Sequence, residues 1–128
     1  MKKQIKLIHI GVHNNLNRNT GDTLLFSVVR KIFDDYLGPK IIWKKVQAWE
    51  YFDNKLVQEI NEKFGGIIIG GGGLFLSDQK GSKTNNSGWQ WNCSLNNVKK
   101  IKVPIILFAV GYNKFRGHKD FKKIFNTH

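Results

Sequence analysis

Covalent reinforcement is almost absent from this chain: 128 residues include one cysteine and two prolines. Cys93 has no second cysteine for an internal disulfide and belongs to no cysteine cluster for zinc. No metal site is expected, and stability must come from burying apolar side chains, for which the length suffices. Long apolar runs are missing as well. Those around Ile67 and Ile105 fall well short of the roughly 20 residues that a membrane-crossing helix needs. The stretch from Met1 to Ile10 starts basic, but Lys6 and His9 interrupt it, and no small-residue cleavage site follows. A cytoplasmic protein without a transmembrane segment is the expectation.

Acidic residues are scarce too. Nine Asp and Glu stand against 21 Lys and Arg, a formal net charge of +12, which raises anionic partners as a class. The lysines are dispersed in small groups: Lys2-Lys3, Lys44-Lys45, Lys99-Lys100-Lys102 and Lys119-Lys122-Lys123. Only three arginines could make bidentate contacts. This distribution favours a solvated lysine-rich surface and argues against nucleic acid, because charge alone carries no specificity.

What is present is a globular composition, 41% hydrophobic and 12% aromatic, arranged in a regular alternation. Ile5–Ile10 reads as a strand. A polar loop, Gly11–Gly21, leads to a helix over Asp22–Leu37, with Leu24, Leu25, Val28, Val29, Ile32 and Phe33 spaced as one apolar face. Asp22 or Thr20 is placed to cap it, and Gly38-Pro39 to stop it. Ile41–Val46 is a second strand and Asp53–Phe64 a second helix. Gly66–Ile69 forms a third strand, followed by a long loop from Gly70 to about Gly88. A helix over Trp89–Ile101 and a strand over Pro104–Val110 complete the pattern, with a short helix from about His118. Alternation of this kind predicts one α/β domain over 1–128, a Rossmann-like three-layer unit on a parallel sheet.

The run Gly70–Gly73 after Ile67–Ile69 is the strongest local signal. Three β-branched residues read as a strand buried on both faces, and four glycines as a loop that another backbone or a ligand approaches closely. Three segments follow strands: Asn17–Asp22, Gly70–Gly73 and Gly111–Gly117. In a doubly wound sheet such segments meet at one crevice. The candidate substrate-binding residues are Asn19, Gly21, Asp22, Gly71, Gly72, Gly73, Gly111, Asn113 and Arg116. Their amides, carboxylate, guanidinium and bare N–H groups suit a sugar or a phosphate. No G-x-G-x-x-G follows the first strand, and no G-x-x-x-x-G-K-[ST] occurs anywhere.

Each residue also has a plain structural reading. Asp22 is a helix cap or a general base, and Asn19 a turn former or a ligand. The glycines serve a ligand or let a helix pack close to the sheet. Trp89 and Trp91 stack on sugar or fill the core. Arg116 holds an anion or a surface carboxylate. His9, inside the first strand, reads as a satisfied core histidine. His13, in the first loop, is the one placed for acid–base work, so His13 and Asp22 are the catalytic candidates. Cys93 is expected to be inert and helical.

Four segments in order resemble the polysaccharide pyruvyl transferases. They are Asn19-Thr20-Gly21-Asp22 before an apolar helix, Ile67–Leu74 with its four glycines, Ser87–Asn92, and Phe108–Gly117. The resemblance covers nearly the whole chain and corresponds to the N-terminal half of that family. It implies the first domain of a GT-B-like two-domain enzyme of cell-surface polysaccharide synthesis. That enzyme moves the enolpyruvyl unit of phosphoenolpyruvate onto a pair of sugar hydroxyls as a pyruvate ketal. By the same resemblance there is no cofactor, and the donor substrate is phosphoenolpyruvate. The acceptor is a sugar or glycan, lipid- or nucleotide-linked, and the catalytic His and Arg belong to a second half absent from these 128 residues. The chain alone is then expected to be inactive, partnered by a C-terminal half or by a copy of itself. Alternatives are a stand-alone nucleotide or nucleotide-sugar binding module, and a non-catalytic partner of a separately encoded half.

Overall fold

The computed structural model describes residues 4–13, 20–38, 40–75 and 91–112, with backbone alone at 20–22, 73, 75 and 112. Strand β1 (Ile5–Gly11) is followed by helix α1 (Thr20–Leu37), strand β2 (Ile41–Gln47), helix α2 (Asn54–Lys63) and strand β3 (Gly66–Ile69). Next come strand β4 (Gly72–Phe75), helix α3 (Leu95–Lys100), strand β5 (Ile105–Leu107) and strand β6 (Val110–Tyr112). Four strands form one sheet in the order β2-β1-β3-β5, and every pair in it is parallel.

Alternation along each strand sorts side chains onto two faces. Leu7 of β1 and Ile68 of β3 meet Val29 of α1, flanked by Phe33, Ile41, Trp43 and Phe108. Ile8, Ile10, Ile67 and Ile69 point the other way, among Val57 and Ile60 of α2, with Val98 of α3 against them. Helices thus cover both faces of a parallel sheet, as expected for a Rossmann-like unit.

Several boundaries differ from the sequence expectation. Helix α1 begins at Thr20, so Thr20 and Asp22 stand in its first turn and not ahead of it. Its buried stripe is Phe26 and Val29, with Phe33 partly buried, while Leu24, Leu25, Val28 and Ile32 are exposed. Helix α2 lies one residue inside its expected bounds at each end: Asp53 caps it by accepting from the Leu56 N–H at 2.7 Å, and Phe64 follows its last turn. Helix α3 is shorter than expected because Ser94 caps it, accepting from the Asn97 N–H. Trp91, Asn92 and Cys93 therefore precede the helix, and Cys93 is buried but not helical.

The long loop and the last strand are also rearranged. Gly72–Phe75 is a strand, and the expected Pro104–Val110 strand is split into β5 and β6. Strands β3 and β5 stop pairing after Ile69 and Leu107, and the chain pairs again as β4 and β6. Gly70 and Gly71 on one strand, at φ +150° and +105°, and Ala109 on the other, at φ +52°, make the break. Such angles suit glycine and strain alanine.

Candidate functional site

The carboxyl ends of β1, β2 and β3 carry a polar cluster that α1 covers. His9, in β1, has no solvent exposure. Its Nε2 donates to the Gly70 carbonyl at 2.9 Å. His13, just beyond β1, donates from Nε2 to the His9 carbonyl at 2.8 Å, and its own backbone N–H donates to Gln47 Oε1 at 2.9 Å. Because a carbonyl only accepts, both rings carry their proton on Nε2 and present a bare Nδ1.

Arg30 answers both lone pairs. Its Nη1 donates to His9 Nδ1 at 3.2 Å and to His13 Nδ1 at 3.1 Å. One guanidinium nitrogen thereby bridges two imidazoles whose rings meet edge to face, 4.8 Å apart. The electrostatics agree with the geometry. Burial first, then neighbouring positive charge, pulls both histidines down to about 4, so both are neutral at physiological pH. The charge acting on His13 comes from Arg30 and from Lys45 of β2. Burial also lowers Arg30, against the attraction of Asp34. Among the described residues no carboxylate reaches ion-pairing distance of Arg30, and Asp34 accepts from Trp43 Nε1 at 2.8 Å.

Phe26 closes the cluster on its apolar side. Its ring lies 5.4 Å from that of His9 and 5.5 Å from that of His13. The same ring occupies the space where side chains at Gly11 and Gly71 would stand. A methyl at Gly70 would run into the Phe108 carbonyl. The glycines thus permit close packing of helix and strand, one of the two readings the sequence left open. Their N–H groups are engaged: Gly70 donates to the Ile10 carbonyl, and Gly71 and Gly72 both donate to Ala109.

Of the candidate substrate-binding residues, Gly21 and Asp22 fall in the first turn of α1, Gly71 bridges β3 and β4, Gly72 and Gly73 belong to β4, and Gly111 to β6. All follow strands that run parallel, which places them beyond one edge of the sheet. Asn19, Asn113 and Arg116 lie outside the described residues, as do Trp89 and the helix expected from His118. Trp91 is core, edge-on to Phe52 at 5.3 Å. Asn92 braces the segment after β2: its Nδ2 donates to the Trp49 carbonyl, and its own carbonyl accepts from the Phe52 N–H. The Cys93 thiol, pushed up to about 12 by burial, is unreactive at neutral pH.

His9 is buried and hydrogen-bonded, in line with its reading as a satisfied core residue. His13 has both ring nitrogens engaged, and it can exchange a proton only when Arg30 moves. Arg30, Lys45 and Gln47 were not singled out from the sequence. The available signal was a polar pair, His9 and Arg30, each on the inward stripe of adjoining elements. Among the described residues no group of three or more His, Cys, Asp or Glu side chains gathers as a metal site, and no helix is long and apolar enough to cross a membrane. Comparison with protein-family models, curated proteins and solved structures returns no significant match.

Proposed function

We propose that the chain is the acceptor-side, Rossmann-like part of an enzyme resembling the polysaccharide pyruvyl transferases. The observation that supports this is the strand order. β2 lies on one side of β1 and β3 on the other, so the chain reverses its direction of travel across the sheet between β1 and β3. Open α/β sheets bind ligands outside the carboxyl ends of their strands at such a switch point. Asp22, Gly71–Gly73 and Gly111 follow the parallel strands toward this edge. In this reading a sugar acceptor sits there, with Asn19, Asn113 and Arg116, which lie outside the described residues, as further ligands.

In this reading the acceptor hydroxyls attack the oxocarbenium-like carbon that forms when the methylene of phosphoenolpyruvate is protonated. The reaction needs an acid, a base and cations for carboxylate and phosphate. The resemblance assigns the acid and the donor cations to a second half, and this chain supplies acceptor positioning. A single open edge is also poor at excluding water from such a carbon.

The test is isothermal titration of the 128-residue chain with nucleotide-linked amino sugars and with phosphoenolpyruvate, paired with an assay for phosphate release. Acceptor binding without release is the expected result. Arg116→Ala should then weaken binding by about 1.5–3 kcal/mol, the range for a hydrogen bond to a charged group. Acceptor-dependent release by the chain alone, at about one per second or faster, overturns the division of labour. Absence of binding to every sugar tested overturns the acceptor reading itself.

A further inference from the structure

We propose that Arg30, Lys45 and His13 form a binding site for a tetrahedral dianion of the phosphate class. In it the guanidinium exchanges its two imidazole acceptors for the anion, and His13 takes up a proton from solvent. The first ground is the state of Arg30. It is a partly buried cation with no carboxylate partner among the described residues. Its acceptors are two neutral ring nitrogens at 3.1 and 3.2 Å. A hydrogen bond from a guanidinium to an oxyanion is about twice as strong as one between neutral groups, and bidentate besides.

The second ground is convergence. Arg30 comes from α1, Lys45 from β2 and His13 from just beyond β1, and the charges of Arg30 and Lys45 both act on His13. Lys45 is exposed and sits directly beside His9 in the sheet register. The glycine segment does not compete as an anion cradle, because the N–H groups of Gly70, Gly71 and Gly72 already have acceptors.

The third ground is how the groups respond to one another. Arg30 occupies His13 Nδ1 and, with Lys45, sets a positive field around it. An incoming dianion draws Arg30 off that lone pair and reverses the field. His13 then binds a proton at Nδ1 and donates it toward the anion, while Nε2 keeps its bond to the His9 carbonyl. His9 has no solvent exposure and stays tied to Gly70, so it remains neutral. Asp34, held by Trp43 Nε1, is the one described carboxylate acting on Arg30 and stays in place. Anion affinity is therefore coupled to proton uptake at a single imidazole.

This site does not depend on the transferase reading, and its test is separate. Sulfate is the probe for the pH comparison because it stays a dianion throughout. The 15N-labelled chain is titrated with sodium sulfate against chloride at equal ionic strength, at about pH 6 and about pH 8. Saturable binding is expected, severalfold tighter at the lower pH, with the His13 ring moving to its protonated form and His9 unchanged. R30A should weaken binding at least tenfold. K45Q, a change on an exposed side chain that leaves folding intact, should weaken it severalfold. Absence of saturable binding, an affinity unchanged in K45Q, or a His13 ring that stays neutral in the complex each overturns the proposal. A sugar phosphate monoester, titrated at about pH 8 against inorganic phosphate, distinguishes the source: tighter binding of the monoester identifies a linked phosphate, and equal or weaker binding a free anion.

Discussion

Gly70 shows how little freedom one position has where two strands bend together. A methyl there meets the Phe108 carbonyl at a positive φ, so Gly70→Ala combines overpacking with backbone strain. It should destabilise the fold by about 2–4 kcal/mol, measured by urea denaturation with intact circular dichroism as the control. Nearby, His9 and His13 make stability depend on pH. Their folded values, about 4, lie below the ordinary 6.5, so the unfolded chain binds more protons between those limits. The contribution is complete above about pH 6.5 and is lost as pH falls toward 4, at a limiting slope of about 1.4 kcal/mol per pH unit for each ring. Melting temperature followed from pH 7 to pH 4 should drop accordingly, and less steeply in His13→Gln. A burial reading of His9 was available from its place in an apolar strand. The bridge from Arg30 was not, because 21 positions separate the two residues and only the fold of α1 over β1 joins them.

Helix α1 shows what periodicity decides and what it leaves open. The spacing gave the helix, but the apolar face expected from Leu24, Leu25, Val28, Val29, Ile32 and Phe33 left out Phe26. The inward stripe is turned toward Phe26, Val29 and Phe33, with Leu24, Leu25, Val28 and Ile32 exposed. Phe26 sits on the inward side, its ring against the bare backbone at Gly11 and, beside Val29, at Gly71. Phe26→Ala should therefore cost about 3–5 kcal/mol, whereas Leu25→Ala, at a side chain 49% exposed, should cost less than about 1 kcal/mol. Urea midpoints of the two variants check the assignment, and equal losses would return the inward face to Leu25. Elsewhere the alternation of strands and helices was legible, with helix α2 misplaced by one residue at each end. Two features were hidden. Ser94 interrupts an otherwise helical spacing of Trp91, Leu95 and Val98, and Ala109 takes an angle that no residue type announces.

At the scale of the molecule, large apolar side chains are exposed among the described residues of one helix and of the edge strand. Leu24, Val28 and Ile32 on α1 are exposed, as are Ile105, Ile106 and Leu107 of β5 at 36%, 43% and 51%. Strands of a parallel sheet are ordinarily buried on both faces, and surface of this kind marks association. The chain should self-associate in sedimentation velocity at micromolar concentration, and Val28→Glu combined with Ile32→Glu should shift it toward monomer. A monomeric parent chain would contradict this. The strand order carries one more consequence, this time for synthesis. β1 is made first yet lies inside the sheet, and its last five residues are buried. On the ribosome those residues wait for β2, then for all of α2, before β3 closes their second edge. A nascent chain halted between Gln47 and Gly66 therefore exposes a half-paired apolar strand, a template for another chain. One halted after Tyr112 has that edge sealed. The hazard for this protein is concentrated in the interval during which its central strand has one neighbour.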